Sequence, residues 1–172
     1  MRERTGEAFE LDEQLTVTGR KLLAGEVAPE FTLDWLDSES GAIGQVRLAD
    51  SAGSVRLLNV INSIDTPVCH IETLAWQQRL RAGDSAVRIY TISMDLPFAL
   101  ERWRVAQGVD HTLLSSHRSE QFGHDYGVGI TQWRLLQRAV FVIDADGRVA
   151  HAEYVADQMR EPDYDAAVAA IA

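Results

Sequence analysis

Two apolar runs, VRLLNVIN (Val55 to Asn62) and VRIYTISMD (Val87 to Asp95), constrain the fold of this chain more than any other feature. Neither alternates polar with apolar side chains, so each predicts a strand covered on both faces, as inside a parallel sheet. A helical pattern follows each run. The first is PVCHIETLAWQQRLRAG, in which Val68, Ile71, Leu74 (or Ala75) and Gln78 mark one face and Gly83 supplies the stop. The second is PFALERWRVAQG, with proline in the first turn and glycine past the end. Further on, RAVFVIDADGRVAHAEYV reads as two strands joined by an Asp-Ala-Asp-Gly hairpin turn, and EPDYDAAVAAIA as an amphipathic helix. Ahead of the core, residues 8–25 predict a short hairpin, and APEFTLDWLDSESGAIGQVRLAD a loop-rich lead-in with one or two short strands. The stretch carrying SEQFGHDYG is less regular and predicts a short helix.

The order β-α-β-α, hairpin, helix describes an α/β chain with a thioredoxin-like core: a central mixed sheet flanked by helices, with an N-terminal β-hairpin extension over about residues 1–25. The 172 residues fit one domain. A net charge of −10 disfavours nucleic acid and anionic membrane surfaces as partners. The N-terminal stretch MRERTGEAFELDEQL has no apolar segment of signal-peptide length, and no run is long enough to span a bilayer. The expectation is a soluble, cytoplasmic protein. A single cysteine agrees with a reducing compartment and excludes a disulfide within the chain.

That cysteine lies in NSIDTPVCHIE. Thr66 falls at the N-cap of the predicted helix, Pro67 at its first position and Cys69 at its third. A sulfur there sits near unsatisfied backbone N–H groups and the positive end of the helix dipole, which favour a thiolate. The Thr66 hydroxyl, three residues earlier, can lie beside it. Asp65 and Glu72 oppose thiolate formation unless they point outward into solvent. A lone cysteine is more often a small buried apolar residue, but the strand, Thr-Pro turn and helix start favour the reactive reading. The five histidines (70, 111, 117, 124 and 151) match no metal-binding spacing and read as surface or hydrogen-bonded structural residues. GVG at 127–129 is too short for a phosphate-binding signature. The tryptophans read as core or pocket residues, with Trp76 on nearly the same helix face as Cys69.

The segments GEVAPEFTL, SIDTPVC, SMDLPFALERW, QFGHDYGV, QRAVFVIDADGRV and EPDYDAAVAAI, in that order, resemble the thiol peroxidase branch of the peroxiredoxins from about residue 10 onward. The resemblance implies reduction of hydroperoxides by a cysteine thiolate, without metal or organic cofactor. It makes Cys69 the nucleophile, Thr66 the hydroxyl that helps hold the peroxide, and Arg138 the active-site arginine. It also implies a homodimer, with Phe98 and Trp103 in the region of contact. On the residues alone, Arg138 reads as an exposed strand-end residue paired with a surface carboxylate. Two positions depart from the pattern. Asn62 stands where the family usually has proline, and Arg104 where it usually has a resolving cysteine. The expected cycle therefore runs through a Cys69 sulfenic acid and an external thiol, from a thioredoxin-like protein or a small molecule. The alternative reading is a redox-sensing or binding domain that has lost efficient turnover.

Overall fold

A computed structural model describes residues 2–81 and 86–171. Gly83, the expected stop of the first long helix, lies outside the described residues. The apolar runs form β5 (Val55–Val60) and β6 (Val87–Ser93), paired in parallel at the centre of a seven-stranded sheet. The predicted hairpin is β10 (Ala139–Ile143) with β11 (Val149–Tyr154), and β10 runs antiparallel to β5. On the other side of β6 lie β7 (Thr112–Ser115), then β3 (Thr32–Leu36) and β4 (Ile43–Arg47) from the lead-in. This mixed sheet, order β11-β10-β5-β6-β7-β3-β4, is the thioredoxin-like core.

Helix α1 (Pro67–Arg81) leaves the carboxyl end of β5, and α2 (Pro97–Gln107) that of β6. On one face of the sheet, Leu57, Val140 and Val142 pack against Trp76 of α1 and Ala167 of α4 (Tyr164–Ala169). On the other, Leu58, Val60, Ile92 and Phe141 meet Phe31, Tyr126 and Phe122, the last from α3 (Gln121–Asp125). No helix among the described residues is long and apolar enough to cross a membrane.

The face of α1 differs from the one read off the sequence. Ile71 and Gln78 are exposed, and the buried stripe is Cys69, Glu72, Thr73 and Trp76. Two of those four are polar, so apolar periodicity pointed to the wrong side. Glu72 in particular does not face solvent. The N-terminal hairpin also begins earlier than expected, as β1 (Glu3–Glu10) and β2 (Glu13–Thr18). It forms a second sheet with β8 (Gly129–Ile130) and β9 (Leu135–Leu136). The final helix is shorter than its sequence pattern, and β7 emerged from a segment read as irregular.

The segment after β2 and the turn leading into β8 meet by close backbone approach. At Gly127, with φ +67°, a Cβ would stand 2.1 Å from the carbonyl oxygen of Arg20. Arg4 crosses the same joint, donating to the carbonyls of Gly19 and Gly127. Packing thus accounts for the first glycine of GVG. Gly127→Ala is expected to lower stability by on the order of 1–3 kcal/mol from backbone strain alone, with the clash adding to it. A urea unfolding midpoint equal to that of the unmodified protein would show that this joint gives way freely.

Candidate active site

The site forms where α1 starts, at the carboxyl edge of the parallel strands. Pro67 opens the helix and puts Cys69 in its third position, as the sequence predicts. The turn before it is fixed by Asp95, just past β6, whose carboxylate accepts from the Ser63 hydroxyl and the Ile64 backbone N–H, both at 2.8 Å. The Thr66 hydroxyl donates to the Ser63 carbonyl at 3.0 Å; it binds backward into the turn, away from the first-turn N–H groups an N-cap side chain would satisfy.

Cys69 is fully buried. One side of it packs with Ile61, Ile64, Leu100, Val109 and Leu113, and Trp103 lies against the same cluster. A polar chain holds its backbone: the Cys69 carbonyl accepts from the Thr73 hydroxyl at 2.8 Å, and Asn59 reaches Thr73 and Thr91. The chain ends at His111, which bonds Thr91 and Gln77 and is pushed down to about 4 by burial. His111 is a neutral structural residue. His70 accepts a hydrogen bond from Trp103 Nε1 at 3.1 Å. Among the described residues, no group of histidine, cysteine and acidic side chains is placed to hold a metal ion.

Arg138 is the other half of the site. It is buried, not exposed at a strand end, and its partner is the buried Glu72, three residues after Cys69, which accepts a hydrogen bond from Nη1. Nη2 donates to the Gln158 carbonyl at 2.9 Å and to Asn62 Oδ1 at 3.3 Å. Burial acts to lower the Arg138 pKa, but the Glu72 carboxylate and then Cys69, by charge and hydrogen bonding, outweigh it and leave it above its ordinary value. For Glu72 the balance goes the other way. Burial dominates, Arg138 opposes it, and the carboxyl is pushed up to about 8. One guanidinium can compensate one negative charge, and with its carboxyl raised this far Glu72 leaves the Arg138 charge uncompensated at neutral pH.

Thr66, Pro67, Val68 and Arg138 line a cavity of about 310 Å³. Trp133 from the β8–β9 turn, Leu135 of β9, and Met159, after β11, complete its apolar wall. The three residues singled out in the sequence therefore meet: Arg138 faces Cys69 and shares the cavity with Thr66. The roles of two participants, Glu72 as the partner of Arg138 and Gln158, were not read from the sequence. The signal for Glu72 was its spacing, since positions 69, 72, 73 and 76 share a helix face. Gln158 lies in an irregular segment without any pattern to mark it. At the other departure, Arg104 forms a two-bond pair with Glu101 at 2.7 and 2.8 Å and donates to the Val109 carbonyl at 2.8 Å, which ties down the end of α2.

A buried cysteine at a helix start, faced by an arginine just ahead of the strand antiparallel to β5, defines a class, and comparison identifies it. Residues 24–152 match the AhpC/TSA family, and the chain belongs to that family. Within it, similar proteins include thiol peroxidases. The chain is 42% identical to the thiol peroxidase of Streptococcus sanguinis over 162 residues, covering 94% of this chain and 96% of that protein. It is 44% identical to the thiol peroxidase of Staphylococcus aureus (strain MRSA252) over 153 residues, 88% and 89% of the two chains. Among solved structures, a peroxiredoxin-like protein from Aquifex aeolicus superposes with a TM-score of 0.82 at 29% identity, over 97% of this chain and 96% of the other. The thiol peroxidase from Chromobacterium violaceum gives 0.80 at 25% identity, over 92% and 91%.

Proposed function

We propose that this chain reduces hydrogen peroxide or an organic hydroperoxide through a one-cysteine cycle. The Cys69 thiolate attacks one oxygen of the O–O bond; the S–O bond forms as the O–O bond breaks. The departing oxygen takes a proton and leaves as water or an alcohol, and Cys69 becomes a sulfenic acid. Arg138 stabilises the negative charge developing on that oxygen, and Thr66 orients the peroxide. An external thiol then attacks the sulfenic sulfur, releasing water and forming a mixed disulfide, and a second thiol frees Cys69. In sum, two thiols become one disulfide as one peroxide is reduced.

The observation that carries this reading is the buried Arg138 guanidinium held between Glu72 and Cys69 beside an open cavity. With one cysteine in the sequence and Arg104 bonded into the end of α2, the reductant comes from outside: a thioredoxin-like protein or a small thiol of the cytoplasm. Ile71, Leu96, Phe98 and Val105 are exposed apolar residues on α1, α2 and the turn before α2, and we assign this region to a homodimer contact.

Stopped-flow tryptophan fluorescence of the reduced protein mixed with hydrogen peroxide tests the proposal, because Trp103 packs in the Cys69 cluster and Trp133 lines the cavity. The expected result is oxidation orders of magnitude faster than that of a free thiol. Without reductant, each chain should consume one peroxide and yield a single sulfenic acid trapped by dimedone. A rate no faster than a free thiol would overturn the peroxidase reading.

A further inference from the structure

Asn62 stands where the family resemblance leads one to expect proline, and its amide is fully engaged. Nδ2 donates to the Leu136 carbonyl at 2.6 Å and to Gln158 Oε1 at 3.0 Å, while Oδ1 accepts from Arg138 Nη2 at 3.3 Å. Gln158 is equally committed. Its Oε1 also accepts from the Arg138 backbone N–H at 2.9 Å, and its Nε2 donates to the carbonyls of Val155 at 2.7 Å and Ala156 at 3.0 Å. Its own carbonyl accepts from Arg138 Nη2, and its backbone N–H is tied to Phe9 of β1 at 2.9 Å. Turning either amide over would set N–H against N–H, so the network admits one orientation.

From this network we infer that Asn62 and Gln158 act as a clamp that positions the Arg138 guanidinium toward Cys69, and that Asn62 is a positioning residue for peroxide reduction in this chain. The inference rests on the peroxidase reading above. Its geometric basis is the division of the guanidinium's anchors. Nη1 is held by Glu72 and Nη2 by Asn62 and Gln158, whereas Nε takes no part in the set. With the Nη2 anchors loosened, Arg138 pivots about Glu72, and its charge leaves the place where the departing oxygen needs it. Proline, lacking both an amide side chain and a backbone N–H, can supply none of these bonds.

The test uses the full chain. Hydrogen peroxide oxidation and iodoacetamide alkylation of Cys69 are each followed at one pH for the unmodified protein, Asn62→Ala and Gln158→Met. A misdirected guanidinium is expected to slow peroxide oxidation about tenfold in either variant, since small displacements of a catalytic group are costly. Alkylation, which involves no departing peroxide oxygen, should not become faster, as it would if the variant merely loosened the fold. The decisive comparison repeats Asn62→Ala in an Arg138→Lys background. A residue that acts through the guanidinium loses its effect there, to within about twofold. Gln158→Met, close in shape to glutamine, carries the test if Asn62→Ala does not fold. Oxidation within twofold of the unmodified protein, or an undiminished loss in the Arg138→Lys background, would overturn the clamp. Should the unmodified protein react no faster than a free thiol, the peroxidase reading fails and takes the clamp with it. Fast oxidation in both the unmodified protein and the variants removes only the clamp.

Discussion

Cys69→Ser protein, supplied with excess dithiothreitol, is expected to consume hydrogen peroxide no faster than dithiothreitol does alone. Cys69 is the only cysteine in the sequence, so no second thiol can take over. A serine hydroxyl stays protonated at neutral pH and lacks the nucleophilicity of a thiolate toward a peroxide oxygen. Methionine does not rescue turnover: Met159 lines the cavity, but its oxidation gives a sulfoxide that a simple dithiol does not rapidly reduce. The fold should survive the change. Serine is close to cysteine in shape, and its hydroxyl lies on the side of the site where Arg138 can be bonded. The remaining cost is a polar group set against Ile61, Ile64 and Leu100, about 1–3 kcal/mol. Peroxide consumption above the dithiothreitol background in a folded Cys69→Ser protein would place the chemistry elsewhere in the chain.

The parts of the fold that the sequence revealed are those whose burial leaves an unambiguous trace. β5 and β10 are covered on both faces and read as apolar runs; the helices after β5 and β6 carry proline at the start. The trace fails where a core position holds a polar side chain. α1 turns Glu72 and Thr73 inward, where Arg138 and Asn59 bond them, and no count of apolar residues along the helix anticipates those distant partners. β8 and β9 are two residues long and exist only through pairing with each other and with β2. β7 is a four-residue strand fixed by its neighbours β6 and β3.

The same division runs through the site. Thr66 and Cys69 were legible because a helix start is local chemistry. Arg138 was legible as a motif, but its burial was not, since a buried guanidinium makes sense only with Glu72 beside it. Asn62 was legible only as a departure from the family pattern, and its role too depends on partners: an isolated amide adds freedom, whereas one bonded on every polar atom removes it.

Replacing Arg138 by alanine is expected to slow Cys69 oxidation by about 10²–10³-fold, the usual size of losing a buried group that stabilises developing charge. It should also destabilise the protein, and by an amount that depends on pH. In the folded chain Glu72 is pushed from its ordinary 4.5 up to about 8, so between those values the folded state holds a proton that the unfolded state has released, and stability falls as pH rises. That slope is common to both proteins while Glu72 stays protonated in each. Near neutral pH, the variant's deficit is therefore the loss of hydrogen bonds to Glu72, Asn62 and Gln158, about 1–3 kcal/mol. Above about pH 8 the two diverge. The unmodified protein ionises Glu72 against Arg138, whereas the variant must bury a carboxylate with no cation or keep its proton at growing cost. The deficit should then climb toward about 3–5 kcal/mol, as for a buried ion pair stripped of one partner. Urea unfolding of both proteins near pH 6 and near pH 9 measures this directly. A deficit equal at the two values would mean that Glu72 never ionises against Arg138, and that the arginine's charge serves Cys69 alone.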